Sequence, residues 1–406
     1  MPKFTAYVDP LEGRVLSELS LKNLMAYAEA ICQWERESGS SGEKKAFDLI
    51  EKELRSLRLA VYRDEVESFI SLPETGSIEV ASLSSEKISG RPPSFSASTP
   101  EDGVMGDLLY LGAGEDSAYA GKDLSGKIVL IDGLPSPRAA RTAEDHGAMG
   151  LIFSGGDHLH SMIVTTLWGM PTYSRKEKVP RMPCLSVVKK EGVVLKGLLK
   201  NQSIALRIKT KVWTGFKNIP ILTGRLRGEV EKERFLLLSG HVDSWHYGAF
   251  DNGTGNATML EVARLLRKHK AGLRRGVRFA FWSGHSHGRY AGSTWYADHF
   301  WEDLEKNCIG HLNADCLGAR GATDYSDLFA TEDLWDLAEK LILDCAGQRV
   351  KGKHFPRAGD KSFWGLGLPS LFMVLSGVPP EEGSDLGEST ARFVGTGGLP
   401  WFWHTT

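Results

Sequence analysis

Between residues 234 and 375 the sequence switches repeatedly between short runs rich in β-branched and aromatic residues and longer stretches with apolar residues at three- and four-residue steps. RFLLLSG (234–240) precedes NATMLEVARLLRKHK (256–270), VRFAFW (277–282) precedes STWYADHFWEDLEK (293–306), and CIGHLNAD (308–315) precedes DLWDLAEKLILDCAG (333–347), before PSLFMVL (369–375). Parallel neighbours need a crossover of a dozen or more residues, usually a helix, so this alternation leaves few architectures open. It predicts an α/β fold, with a mixed, mostly parallel sheet flanked by helices on both faces. Sheets of this kind bind ligands outside the carboxyl ends of their strands, which is where chemistry is to be sought.

Upstream, residues 16–59 carry two helical patterns, VLSELSLKNLMAYAEAICQWE and GEKKAFDLIEKELRSL. A Ser/Gly turn, ESGSSGE, joins them and offers Ser41 as an N-cap. LAVYRDEV then alternates as a strand. From about 85 to 205 short β runs predominate: VMGDLLYLG, GKIVLIDGL (126–134), GLIFSGG (150–156) and PCLSVVKKEGVVLKGLL, with PRAARTAEDHGAMG a small helix ending on glycine. The organisation expected is a discontinuous domain, 1–84 and 206–406, interrupted by a β-rich insert at 85–205. At roughly 150 residues per domain, 406 residues accommodate both.

Lys+Arg 49 against Asp+Glu 51 gives a formal charge of −2, which supports neither a nucleic-acid carpet nor a basic membrane patch. The five cysteines are odd in number, scattered and without C-x-x-C spacing, so neither a disulfide framework nor a thiolate metal site is expected. The amino terminus lacks the apolar core of a signal peptide and no apolar run is long enough to span a bilayer, so the expected location is cytoplasmic. Glycine-rich GTGN has no P-loop lysine and no G-x-G-x-x-G partner, which argues against nucleotide binding.

RFLLLSG runs into HVDSWHYGAFDNGTGN, so His241 and Asp243, two apart at a strand end, can face one side, with Asp251 at the tip of the loop that follows. By itself an H-x-D pair is equally a strand cap. VRFAFW delivers His285 and His287 in SGHSHGRYAGS, and CIGHLNAD delivers Asp315. Imidazole and carboxylates from three successive strand ends form an oxygen/nitrogen set suited to Zn²⁺ or another divalent ion. His269, His299 and His311 fall on helix or strand bodies and are expected to be structural. His158 and His160 read as loop histidines or as part of a lid, and Trp295, Tyr296, Phe300 and Trp301 as core or subunit contact. Arg289 and Tyr290 either bind an anionic substrate group, through the bidentate fork of the guanidinium, or pair with a nearby acid.

GHVDSWHYGAFDNGTGNATMLEVARLL, VRFAFWSGHSHGRYAGSTWYA, HLNADCLG and PWFWHTT, in that order, resemble the motifs of the dinuclear zinc aminopeptidase, glutamate carboxypeptidase and transferrin-receptor family. DLSGKIVLIDG and EDHGAMGLIFSGG resemble the protease-associated domain inserted in many of its members. The resemblance implies a zinc exopeptidase-like fold. It makes His241 and Asp315 ligands of a first metal, Asp251 the bridging carboxylate and His404 a ligand of a second, with Asp243 orienting the site as a catalytic residue. It also implies a cis bond between Asp251 and Asn252.

The second motif departs from the family. Where two adjacent glutamates serve as general base and ligand, no acid occurs from Ser283 to Ser293. Counting from Trp282 places His285 and Ser286 there; counting back from Gly292 places Ser286 and His287, because the loop is one residue longer. His285 is then a candidate for proton transfer or for a metal, and His287 a further candidate ligand.

These features lead to an expected metal-dependent hydrolase with one or two Zn²⁺ or other divalent ions, cleaving an amide bond in a small peptide or amino-acid conjugate through a metal-bound water. The alternatives are another metal-dependent reaction on the same scaffold, such as a lyase, or an inactive binding or regulatory subunit. Because PWFWHTT stops where the family continues with an acid and a helix, an oligomer or a complex with a chain supplying that part is expected.

Overall fold

The structure is a computed structural model that describes residues 10–80, 87–200, 202–350, 361–378 and 399–405. The extreme amino terminus and the expected 84/85 edge of the insert lie outside the described residues. The strands are β1 (Ala60–Val80), β2 (Lys87–Gly90), β3 (Val104–Tyr110), β4 (Lys127–Asp132), β5 (Gly150–Ser154), β6 (Cys184–Val187), β7 (Ala205–Leu226), β8 (Glu231–His241), β9 (Arg275–Trp282), β10 (Cys308–Ala314), β11 (Leu328–Ala330) and β12 (Ser370–Met373).

They follow the path β11-β12-β10-β8-β9-β7-β3-β4-β5-β6. The β12, β10, β8 and β9 neighbours are parallel, as are β3 to β6, while β7 is antiparallel to both β9 and β3. The sheet is therefore mixed and mostly parallel, as the alternation of patterns predicts. β1 pairs with β7 from Ala60 opposite Arg225 to Val80 opposite Leu206, so two long strands run from the 231–373 strands into the 104–187 strands.

Helices Leu21–Ile31, Ser41–Ser56 and Thr254–Lys268 bury Ile31, Phe47, Leu54, Met259 and Leu260 against Phe279 and Phe281. On another face Ala291–His299 and Trp301–Asn307 bury Tyr296 and Leu304 with Trp282 and Phe363. The aromatic run of the first of these helices thus supplies core through Tyr296, while Trp301 remains exposed.

Three local readings change. The helix expected over 293–306 breaks at Phe300, whose φ/ψ of −111°/21° leaves the helical region. PCLSVVKKEGVVLKGLL divides into β6 and a helix, Lys189–Leu199, in which Leu195 is buried and Val193 exposed; an apolar run this short does not separate strand from helix by periodicity. The cap of Ser41–Ser56 is Ser40, one residue before the expected Ser41: its side chain accepts from the Glu43 N–H at 3.1 Å while Glu43 accepts from the Gly39 N–H at 2.6 Å. Reciprocal bonding of this kind fixes the first turn one residue earlier. Among the described residues no helix is long and apolar enough to cross a membrane.

Candidate metal centre

Because β8, β9 and β10 are parallel neighbours, their carboxyl ends open on one edge of the sheet. His241, the last residue of β8, is fully buried, and its Nδ1 lies 2.7 Å from the Asp243 carbonyl oxygen. A carbonyl only accepts, so Nδ1 donates to it, and in the neutral ring Nε2 holds the lone pair. That Nε2 faces Asp251 Oδ1 at 2.9 Å and Asp315 Oδ1 at 3.4 Å. Donors around a tetrahedral Zn²⁺ at its usual bond lengths stand about 3.3 Å apart, so each carboxylate oxygen stands from His241 Nε2 at the spacing of two ligands on one small cation.

The loop carrying Asp251 is held from several sides. Asn252 donates its side-chain N–H to the Ala314 carbonyl at 2.8 Å, and Asn256 donates to the carbonyls of His241 and Asn252 at 2.7 and 2.6 Å, which ties β8, the loop and β10 together. The Asp251–Asn252 bond is cis, as the resemblance implies. A Cβ on Gly255 would stand 2.1 Å from Asn252 Oδ1 and 2.5 Å from the Ala314 oxygen, so only glycine allows this approach. Arg36, from the turn after Leu21–Ile31, is fully buried and donates to the carbonyls of Val242 (2.8 Å), Tyr247 (2.6 Å) and Gly248 (3.0 Å).

Asp243 does not reach the cluster; it builds the neighbouring loop. Its carboxylate accepts from the backbone N–H of His285 at 3.2 Å and of Ser286 at 2.8 Å and from Ser38 Oγ at 2.8 Å. Burial would raise its pKa, but His287, His241 and His285 together hold it below the usual carboxylate range. These bonds fix the loop so that His285 lies in the cluster, its ring stacked on that of His241 with centroids 3.8 Å apart. His285, His241 and Asp315 bring donor atoms within 4.8 Å of one another. The structure thus brings His285 to the cluster. His287 lies elsewhere: its Nδ1 is 3.1 Å from Ser38 Oγ and its ring rests on Trp245 at 4.2 Å.

His404 arrives from the far end of the chain. Its Nε2 lies 2.8 Å from Asp251 Oδ2 and its Nδ1 2.8 Å from the Ser161 carbonyl oxygen. The 155–163 segment thus braces this histidine; Ser161 N–H donates to the His404 carbonyl at 2.8 Å, His160 Nδ1 bonds the Trp403 carbonyl at 2.7 Å, and His158 stacks on Trp401. The pair read as loop histidines is accordingly structural support for the last motif. Burial lowers the His160 pKa to about 4, so its ring is neutral at physiological pH.

Beside this cluster lies a cleft lined by Asp251, His285, Asp315 and His404 and, on its apolar side, by Met162, Ile163, Phe372, Val374 and Leu399. Arg289 and Tyr290 line it too, both with positive φ, at 50° and 67°. The Arg289 guanidinium lies 5.5 Å from the Trp168 ring and 5.0 Å from the Tyr290 ring, and its Nε is buried without a hydrogen bond. Among the described residues no acid pairs with it. Cys316, which the sequence reading passed over, also lines the cleft; its position directly after Asp315 is the signal that could have found it.

His241 Nε2, Asp251 Oδ1 and Asp315 Oδ1 are all buried with no well-directed hydrogen bond. Burial opposes charge on His241, yet Asp315 and Asp251 pull its pKa well above the usual value, and Asp251 is held well below its own by His241 and His404 in spite of burial. The cluster thus concentrates negative potential on a point ringed by three electron-pair donors. A divalent cation fits there.

A mostly parallel sheet with imidazole and carboxylate donors at three adjacent strand ends is the arrangement of a zinc exopeptidase-like fold. Residues 222–373 match the family model Peptidase family M28, which bears out the resemblance read from the motifs. The chain is 26% identical over 324 residues to the probable lipoprotein aminopeptidase LpqL of Mycobacterium tuberculosis, covering 78% of this chain and 60% of that protein. Its fold is that of the aminopeptidase from Aneurinibacillus sp. strain AM-1 (TM-score 0.68, 24% identity, 91% of this chain and 88% of that one) and of BSAP, a zinc aminopeptidase from Bacillus subtilis (TM-score 0.66, 23% identity, 95% and 87%).

Proposed function

We propose that the protein is a zinc-dependent hydrolase that cleaves an amide bond in a small peptide or amino-acid conjugate. The observation that carries this reading is the convergence of His241 Nε2, Asp251 Oδ1 and Asp315 Oδ1, buried and without directed hydrogen bonds, beside a cleft that Asp251 and Asp315 line. Kinship with proteins named as aminopeptidases, one of them a zinc aminopeptidase, supports it.

His241, Asp251 and Asp315 would hold the ion, which when bound acidifies a water and polarises the substrate carbonyl. His285 takes the place of the glutamate base. Its backbone is fixed by Asp243 and its ring lies beside the His241 ring, near enough to the donor cluster to carry a proton between attacking water and leaving amine at neutral pH. Asp243 acts by fixing this loop. The wall of Met162, Ile163, Phe372 and Val374 accommodates an apolar side chain.

Arg289 receives a carboxylate of the substrate, held for that purpose beside the Trp168 and Tyr290 rings, which pack on each other at 4.2 Å. A charge-assisted hydrogen bond of this kind contributes about 1.5–3 kcal/mol. Arg289→Ala is therefore expected to raise KM roughly 10- to 100-fold for substrates with a free carboxylate and to leave their carboxamide analogues nearly unchanged. Equal loss on both series, measured by steady-state kinetics, would remove Arg289 from this role.

The function itself is tested with a panel of acyl-amino acids and dipeptides, assayed with and without added zinc. Release of free amino acid only in the presence of metal is expected. Stoichiometric metal with no amide hydrolysed would point to the other chemistry on this scaffold, and absence of metal to a binding subunit.

A further inference from the structure

Resting on the reading of a metal centre, we infer that this chain holds one divalent ion rather than the pair implied by its family resemblance, and that His404 and Trp403 position Asp251. A carboxylate that bridges two ions gives each a lone pair from one oxygen, and the second ion needs further protein donors on its own side. The two sides of Asp251 differ in this respect.

Toward His241 and Asp315, Oδ1 is buried without a directed hydrogen bond, and its neighbours stand at ligand spacing. Oδ2 is already engaged. It accepts from the indole Nε1–H of Trp403 at 2.9 Å and lies 2.8 Å from His404 Nε2. An indole nitrogen is a donor with no lone pair to give, so Trp403 competes for that oxygen and offers nothing to a cation. The His404 ring is spanned at both nitrogens, by Asp251 Oδ2 and by the Ser161 carbonyl, each at 2.8 Å.

The third donor is missing as well. Ser286, buried, stands at the ligating-glutamate position counted from Trp282, and its contribution to the site is a backbone N–H given to Asp243. A neutral hydroxyl supplies neither the charge nor the donor strength of a carboxylate. Among the described residues, no group of three His, Cys, Asp or Glu donors includes His404. The other group that does form, Asp251, Asp315 and Cys316, draws on the same two carboxylates as the first centre. The second side of Asp251 thus lacks a full donor set: the Trp403 indole donates to Oδ2 with His404 beside it, while Oδ1 faces the single ion, as outer partners of a metal ligand commonly leave it.

The test is zinc content by plasma mass spectrometry after dialysis against excess zinc, for the wild-type chain and for Trp403→Phe, His404→Ala and His241→Ala, each checked for folding by circular dichroism. One zinc per chain is expected in the wild type and in Trp403→Phe and His404→Ala, with affinity weakened about 10- to 100-fold in those two by competition with a chromophoric chelator, and none in His241→Ala. Two zinc ions in the wild type falling to one in His404→Ala would overturn the inference and leave the hydrolase reading standing. No zinc in a folded wild-type protein would overturn both.

Discussion

Asp251→Asn is expected to abolish stoichiometric zinc and to lower amide hydrolysis by about 10³-fold or more, equivalent to about 4 kcal/mol of transition-state stabilisation. The substitution is nearly isosteric, so its effect is read through charge. Asp251 faces His241 through one oxygen at 2.9 Å and is fixed through the other by Trp403 and His404. An amide in its place brings no negative charge to the cation and presents an N–H to one of two sets of partners. If that N–H turned toward His241 it would meet the Nε2 lone pair and remove it from the ion; if it turned toward Trp403 it would oppose the indole N–H. Kinetics together with zinc titration check the expectation. Retained zinc with unchanged rate would mean that the centre does not depend on this carboxylate.

Arg36→Ala is expected to destabilise the fold by about 3–5 kcal/mol, because removing one buried partner strands several carbonyls at once. Its guanidinium joins the end of Leu21–Ile31 and the turn after it, through the carbonyls of Ile31 and Trp34, to the loop after β8, through Val242, Tyr247 and Gly248. The backbone adds to this tie: Arg36 N–H donates to the His246 carbonyl and Ser244 N–H to the Arg36 carbonyl. The loop so held begins with the Asp243 that fixes His285 and ends near Asp251, so zinc affinity is expected to fall with stability. Urea unfolding measures the first and chelator competition the second. Lysine restores the charge but not the fork, and Arg36→Lys is expected to recover only part of the loss.

Why His241, Asp251 and Asp315 could be found in the sequence while Arg36 could not follows from how each acts. His241 and Asp315 sit at the ends of strand runs whose residue pattern is strong, with Asp251 in the glycine-rich loop after the first of them, and strand ends of a parallel sheet share an edge whatever the details of packing. Arg36 works through main-chain carbonyls contributed by two distant segments, which leave no mark on the identity of the residues that carry them. The same holds for Ser161, whose carbonyl braces His404 across 243 positions of sequence. The loop after β9 was ambiguous by one residue because Gly292 and Trp282 anchor it from opposite ends. What decides between His285 and His287 is the pair of backbone bonds from His285 and Ser286 to Asp243, a tertiary contact. The helix Lys189–Leu199 escaped because a glycine-punctuated apolar run fits either period until the sheet beneath it selects the face of Leu195.

The central claim is that a single ion held by His241, Asp251 and Asp315 supports amide hydrolysis. The most direct measurement is the rate of hydrolysis of an acyl-amino acid by chelator-stripped protein as zinc is added back in sub-equivalent steps. The account expects no rate in the stripped protein and a linear rise that levels at one zinc per chain. Hydrolysis that persists without metal, or a chain that binds zinc and hydrolyses nothing, would contradict it.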